Sequence, residues 1–396
     1  EMKLTEETPF FFIYSVWTKN GEYREQVKRL VTDYDNYISL KLAGDDAYLS
    51  EKMVGYPAEL DEVYAESFEE QKKEWFSCVG DGIQECRNTW EHKKWNITDF
   101  PEFELAITID RPELYYDFLQ KDWTRFCHDY WKNNFLEHHT LSQKRVTRIY
   151  IGNQFCHNLF PKKKLLFQVL EKALENNLAV TLAFSYIRNH LLEEIDELLQ
   201  ELEVWCQSRE KEAGKDQEEI IVNDWAMPIL LQGKPHLKPV LGVLLNKRRK
   251  DVRLPYKHGI GNHVDSLAEN NLNCGFYQDY LKNTFDIQRF EFESCGYKVT
   301  IPDGHHSLHL PFFQTNTSQY CTLYAVCRYG DREKQKLPEN CPKYCEQKVF
   351  LYPKHLKMVG RYNSLFGYDE KILWDEKQLQ DYLEQGIDRI VVNVSL

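Results

Sequence analysis

The chain has 396 residues, of which 42% are hydrophobic, and a net charge of −12. That length suits one large domain with a smaller one beside it, and the apolar content is enough to bury a substantial core. No uninterrupted apolar run approaches the ~20 residues that span a membrane, and the acidic balance gives no clear nucleic-acid signal.

Charge and cysteine usage narrow the reading further. Residues 1–100 hold 21 acidic against 12 basic residues. This reads as a solvated acidic surface or as a docking face for a basic protein or peptide. Lys247-Arg248-Arg249-Lys250 is the main basic run. It is expected on a surface loop, with phosphate or carboxylate binding as the other reading. The opening Glu1-Met2-Lys3-Leu4-Thr5-Glu6-Glu7 lacks the charged-then-apolar pattern of a secretory leader. Eleven cysteines, an odd number, favour a reducing compartment with free or metal-bound thiols. A cytoplasmic location is therefore expected. Cys78, Cys86, Cys127, Cys206, Cys274 and Cys295 have no partner spacing and are expected as small buried apolar residues.

In chain order, residues 9–17 (Pro-Phe-Phe-Phe-Ile-Tyr-Ser-Val-Trp) predict a buried strand, 22–34 a helix and 37–42 a second strand. Residues 59–76 predict a charged helix, and the aromatic-rich 83–98 fits no single element. Asn96-Ile97-Thr98 matches the glycosylation sequon, which means little without a leader. This front part predicts a small α+β domain over residues 1–100, with a boundary near Asp99-Phe100-Pro101. Beyond it the pattern alternates. Strands are predicted at 103–109, 145–152, 179–184, 219–222, 240–245 and 288–293. Helices are predicted at 113–134, 164–176, 191–213 and 227–231. Strands alternating with helices mean βαβ units and a parallel sheet. Over residues 101–396 this predicts an α/β fold, a TIM-type (β/α) barrel, complete or partly opened. The apolar 389–394 segment is placed to close the sheet.

In such a barrel the chemistry sits where strands run into their following loops. The strand ends carry Asn153-Gln154-Phe155-Cys156-His157, Asn223-Asp224 and Asn246. Further on, Cys327-x13-Cys341-x3-Cys345 sets three thiols close in sequence, with Cys321 upstream. Soft thiolates are the ligands that zinc and iron–sulfur clusters select. Three are one short of four, and Cys156 and Cys321 are the two sources for the last. Asp303 to Pro311 is a His-rich loop in this reading, facing surface or substrate.

Three segments carry a family resemblance. They are Tyr150-Ile151-Gly152-Asn153-Gln154-Phe155-Cys156, then Val222-Asn223-Asp224-Trp225-Ala226 with Leu244-Leu245-Asn246, then His309-Leu310-Pro311 leading to Cys327, Cys341 and Cys345. Over roughly residues 103–350 the chain resembles the U32 peptidase-like proteins. It is closest to the iron–sulfur members of oxygen-independent ubiquinone hydroxylation. The resemblance implies a [4Fe-4S] cluster on Cys156, Cys327, Cys341 and Cys345, with Cys321 as the rival fourth ligand and zinc on the same thiolates as the alternative metal. Two features depart from the pattern. The gap between Pro311 and Cys327 is long, and Cys321-x5-Cys327 resembles the local cysteine set of other members.

The activity so implied is oxygen insertion without O2 into an organic substrate in the barrel mouth, with prephenate implicated as oxygen donor in some members. Asp224 and Asn246 would orient the substrate, and Arg328 or His309 would meet an anionic group. Two other functions stay open. One is a peptidase or peptide-modifying enzyme, although no Ser-His-Asp or His-Glu-x-x-His pattern is present and adjacent Cys156-His157 seldom aim at one point. The other is a non-catalytic accessory subunit whose front domain binds a protein partner.

Overall fold

The computed structural model of the chain describes residues 2–7, 12–30, 68–77, 100–213, 218–248, 250, 252, 268–331, 334, 336–338, 340–352 and 357–394. In the front part, β1 (Met2–Glu7) and β2 (Phe12–Val16) pair antiparallel, and helix α1 covers 21–30. Within the run 9–17 expected as a buried strand, Phe12–Val16 is a strand, but Tyr14 and Val16 face solvent, as does Trp17 beyond its end. The strand expected at 37–42 and the segment 83–98 lie outside the described residues. Helix α2 (Phe68–Trp75) is the described part of the charged helix. Its end is anchored by aromatics: Trp75 stacks on Tyr368 at 5.2 Å, and Phe76 packs on Phe312 and Tyr368.

The remainder alternates strands and helices. β3 (Glu104–Ile109) leads into α3 (Pro112–Gln120) and α4 (Trp123–Asn133). The single helix expected over 113–134 is two, because Lys121 is extended and Asp122 caps a new start by accepting the Arg125 N–H. There follow β4 (Arg148–Gly152), α5 (Lys163–Glu175), β5 (Ala179–Ala183), α6 (Leu192–Ala213), β6 (Glu218–Val222), α7 (Ala226–Leu230) and β7 (Leu237–Leu241). Then come α8 (Gly275–Phe285), β8 (Glu291–Glu293) and β9 (His306–Leu310). An insertion carries β10 (Phe312–Thr317), α9 (Thr322–Tyr329), β11 (Phe350–Leu351), β12 (Met358–Arg361) and β13 (Ser364–Tyr368). After it, α10 (Glu376–Glu384) leads to β14 (Ile387–Val392).

Eight strands form one parallel sheet in the order β7-β6-β5-β4-β3-β14-β9-β8. Its two ends meet through a parallel bridge between Leu241 and Phe290, backed by the Leu241 N–H donating to the Arg289 carbonyl at 3.0 Å. The sheet is thus nearly closed into a barrel, with helices around it, as the alternation predicted. The apolar C-terminal segment does close it, β14 lying between β3 and β9. The insertion between β9 and β14 makes a second sheet, antiparallel, of order β10-β13-β12-β11.

Strand parity sorts the side chains, since successive residues point to opposite faces. Leu105, Ile107, Ile149, Ile151, Val180, Leu182, Ile220, Val222, Ile390 and Val392 belong to the large core under the helices. Ala106, Tyr150, Ala183, Ile221, Val240 and Val391 form a separate buried cluster, the filling of the barrel interior. Below that filling, at the strand starts, the interior is charged. Arg389 donates to Glu104 at 2.6 Å and to both oxygens of Glu219 at 2.7 and 3.0 Å. Arg148 meets the same two carboxylates at 3.0 and 3.3 Å. The opposite end of the barrel is left for polar loops.

Two expectations are corrected. The strand expected at 240–245 ends at Leu241, so Val243 to Asn246 form a turn. The expected His-rich loop is largely β9: His306 and His309 are buried on a strand, and only His305 is exposed. Alternation His-Ser-Leu-His-Leu with Leu308 and Leu310 outward was the overlooked period-two signal.

Candidate functional site

The loops at the C-terminal ends of the strands are held by buried amides. After β4, Asn153 Oδ1 accepts the N–H groups of Phe155 and Cys156, each at 2.9 Å, which fixes the Cys156 backbone. Gly152 has φ +109°, and a Cβ there would stand 2.6 Å from the Ala183 carbonyl oxygen. Only glycine makes this turn. After β6, Asn223 donates to the Phe184 carbonyl at 2.7 Å and accepts the Leu244 N–H at 3.1 Å. Gly242 leaves room for it, since a Cβ there would lie 2.1 Å from Asn223 Oδ1.

Thiols from two distant segments come near enough at this end to affect one another. Cys156 follows β4, while Cys321, Cys341 and Cys345 lie in the insertion. Burial pushes the Cys345 thiol up to about 12, and Cys156 and Cys341 push it the same way while Arg361 opposes. Burial pushes Cys156 up to about 11, with Cys341 adding to the shift and Arg188 opposing it. Cys321 is also raised by burial, and Cys156, Cys345 and Cys341 all raise it further. Cys321 caps α9 by accepting the Tyr324 N–H at 3.3 Å, and its Sγ contacts the Tyr362 carbonyl at 3.0 Å. Arg361 Nε donates to the Cys345 carbonyl at 2.9 Å. Cys327 lies in the second turn of α9. Burial raises its thiol, and the charge opposing that shift is Lys348.

The donor set is of the soft type that iron–sulfur clusters and zinc select. Among the described residues, no three His, Cys, Asp or Glu side chains stand close enough to hold one metal ion. The thiols are near enough to influence each other. They are donors of the type such a group takes, but among the described residues they are not gathered into a metal site.

Beside the thiols, the loops after β5, β6 and β7 and the strand β10 enclose a cleft of about 600 Å³, a volume normal for small-molecule sites. Tyr186 connects the two features. It lines the cleft, donates to the Ser318 carbonyl at 3.1 Å, and is raised by burial with a further push from Cys156. Asp224 is in the cleft, but its carboxylate accepts the N–H groups of Ala226 and Met227 at 3.0 Å and that of Ile187. Its task is to fix loops. Asn246 is also in the cleft. Its Nδ2 donates to the Glu291 carbonyl at 3.0 Å, and its Oδ1 is buried without a partner.

His309 lies deeper, in the barrel interior. Its Nε2 is 2.5 Å from Glu291, and its ring meets Tyr150 edge-on at 5.4 Å. Burial pushes the Glu291 carboxyl up, yet the His309 hydrogen bond and the Arg389 charge hold it below the ordinary value. His309 lines a small cavity with Asp110, Asn153, Glu293 and Asn393, of about 30 Å³, room for one water. Arg328 is exposed on α9 and takes no part in the cleft. The basic run expected on a surface loop behaves differently: Lys247, Arg248 and Lys250 all line the cleft, and Lys250 is buried against Glu293. Sequence reasoning missed Tyr186, Trp225 and the β10 roof, Gln314 to Ser318. Trp225 and Tyr186 follow strand ends and were findable by the rule that located Asp224. The roof comes from an insertion that no barrel rule anticipates. A scan against protein-family models, a search of curated proteins and a search of solved structures each found no match.

Proposed function

We propose that this protein is an iron–sulfur protein of the U32-like type that hydroxylates an organic substrate in its barrel mouth without O2. The supporting observation is that Cys156, Cys321, Cys341 and Cys345 act on one another electrostatically, and that Cys156 also acts on Tyr186, which lines the cleft. Cys321 takes the place that the sequence pattern offered to Cys327. A bound cluster supplies electron transfer or, if one ligand exchanges, an open iron. The protein's own side chains do the rest. Arg188 and Arg361 offset thiolate charge at Cys156 and Cys345. Tyr186 forms the wall between thiols and cleft, and the insertion roofs the site against water. The family's peptidase activity finds less support. His157 is pushed down to about 4 by burial and the Cys156 thiol up to about 11, so at neutral pH the pair is a neutral imidazole and a protonated thiol. That is the reverse of an activated nucleophile.

Anaerobic purification with metal analysis and visible spectra of wild type and single Cys→Ala variants tests the reading. Iron with broad absorbance near ~400 nm is expected for thiolate-bound clusters, lost in Cys156→Ala and Cys321→Ala and kept in Cys327→Ala. Stoichiometric zinc without that absorbance refutes it. An oxygen-free assay of substrate hydroxylation then tests the activity itself.

A further inference from the structure

The charges of the cleft do not balance. Asp224 is occupied by three backbone N–H groups. Lys250 is ion-paired with Glu293 and bonded to Gln314, so its charge is neutralised. Arg248 donates through Nη2 to the Glu293 carbonyl, a neutral acceptor, and its buried Nη1 has no partner. Lys247 projects at the rim and is exposed. Among the described residues no ion pair joins Arg248 or Lys247 to a carboxylate, and the Glu293 charge that acts on Arg248 is already paired with Lys250. Two buried cations on one carboxylate leave a positive excess that an anionic ligand would offset.

The unpartnered Asn246 Oδ1 adds a second requirement. Its orientation is fixed, because the amide nitrogen is committed to the Glu291 carbonyl. The free atom is therefore an acceptor, and Asn246 is only 3% exposed. It calls for a hydroxyl or amine hydrogen on the ligand. Trp225 and Leu244 supply apolar surface between these polar points.

We propose that the cleft binds a small organic anion carrying a hydrogen-bond donor. Its carboxylate or phosphate pairs with Arg248 and Lys247, and its hydroxyl or amine donates to Asn246 Oδ1. This deepens the reading of the barrel mouth as the substrate site and replaces Arg328 and His309 as the groups that meet the negative charge. It does not depend on metal.

Titration calorimetry on the full chain, as purified and after chelation, tests the proposal. The probes are malate, succinate (the same dianion without the hydroxyl), inorganic phosphate, glycerol 3-phosphate and the neutral polyol erythritol. Malate or glycerol 3-phosphate is expected to bind, whichever is tighter revealing the anion type. Succinate is expected about tenfold weaker than malate, the loss of one hydrogen bond at a buried acceptor. Arg248→Met and the exposed Lys247→Met should each weaken anion binding, Arg248→Met by tenfold or more, with melting temperatures recorded to confirm folding. Erythritol binding as well as the anions, or anion affinity unchanged in both folded variants, overturns the proposal. So does the absence of binding by every anion. Anion binding that survives chelation and Cys156→Ala separates this site from the cluster reading, which the metal analysis tests by itself.

Discussion

Replacing Arg389 with methionine tests the charged floor of the barrel. Arg389 is 2% exposed and spans Glu104, Glu219 and the Tyr150 hydroxyl. Burial pushes the Glu219 carboxyl up, but Arg148 and Arg389 hold it at about 2. Against the ordinary value of 4.5, that depression is worth about 3 kcal/mol at neutral pH. Arg148 retains part of it, while the strand of charge left in the interior adds cost. Removing one partner of a buried pair typically costs 3–5 kcal/mol, so Arg389→Met should lose about 3 kcal/mol in urea unfolding at pH 7. The sign with pH follows from linkage. A depressed carboxyl contributes stability above its unfolded value, and that stability is lost as pH falls through the folded value. The gap between wild type and variant should therefore narrow in acid. Adding Glu219→Gln to Arg389→Met should recover part of the loss at pH 7. A loss under ~1 kcal/mol, or no recovery in the double variant, would show that the network is not the paired system argued from its geometry.

Three further outcomes follow from buried groups. Burial pushes Lys72 down to about 7 from 10.5, so the unfolded chain holds a proton that the folded one releases, and stability should rise from pH 7 towards 10. Lys72→Met should flatten that rise, which is on the order of 4 kcal/mol, in urea titrations at several pH values. Burial lowers His139 to about 4 from 6.5, with its ring bonded to the Leu373 carbonyl at 2.6 Å and accepting the Leu141 N–H at 3.1 Å. Stability held above pH 6.5 should be lost as pH falls to 4, by about 3 kcal/mol, and His139→Gln should shrink that acid limb. Gly242→Ala forces a Cβ against Asn223 Oδ1 at 2.1 Å. It should cost about 1–3 kcal/mol by overpacking and weaken malate binding, both measured on the same preparation.

The barrel was legible because its strands are short, apolar on the face under the helices and separated by helical periods. The βαβ alternation and the closing strand needed no more than that. Strand-end logic reached Cys156, Asp224 and Asn246, since loop position follows from strand position. What it did not reach arises from long-range packing. Cys321, the N-cap of α9, is acted on by Cys156, Cys341 and Cys345, whereas Cys327 lies in the second turn of that helix and feels Lys348. Spacing alone does not show where a helix starts. Arg248 and Lys250 looked like solvent charges because a run of bases normally is one. Their burial depends on Glu293 and on Gln314 from β10, remote in sequence.

The place of β14 has a consequence for synthesis. Its partners are β3 and β9, and Arg389 reaches back 285 residues to Glu104. At 5–20 residues per second, β3 waits roughly 15 to 60 s on the ribosome before its last neighbour exists. Through that interval the β3 edge stays open and Glu104 lacks its bridging arginine, and the β9 edge joins it once that strand is made. The growing chain is then a template for pairing with other chains. Its safe passage depends on whatever shields those edges until the final strand arrives.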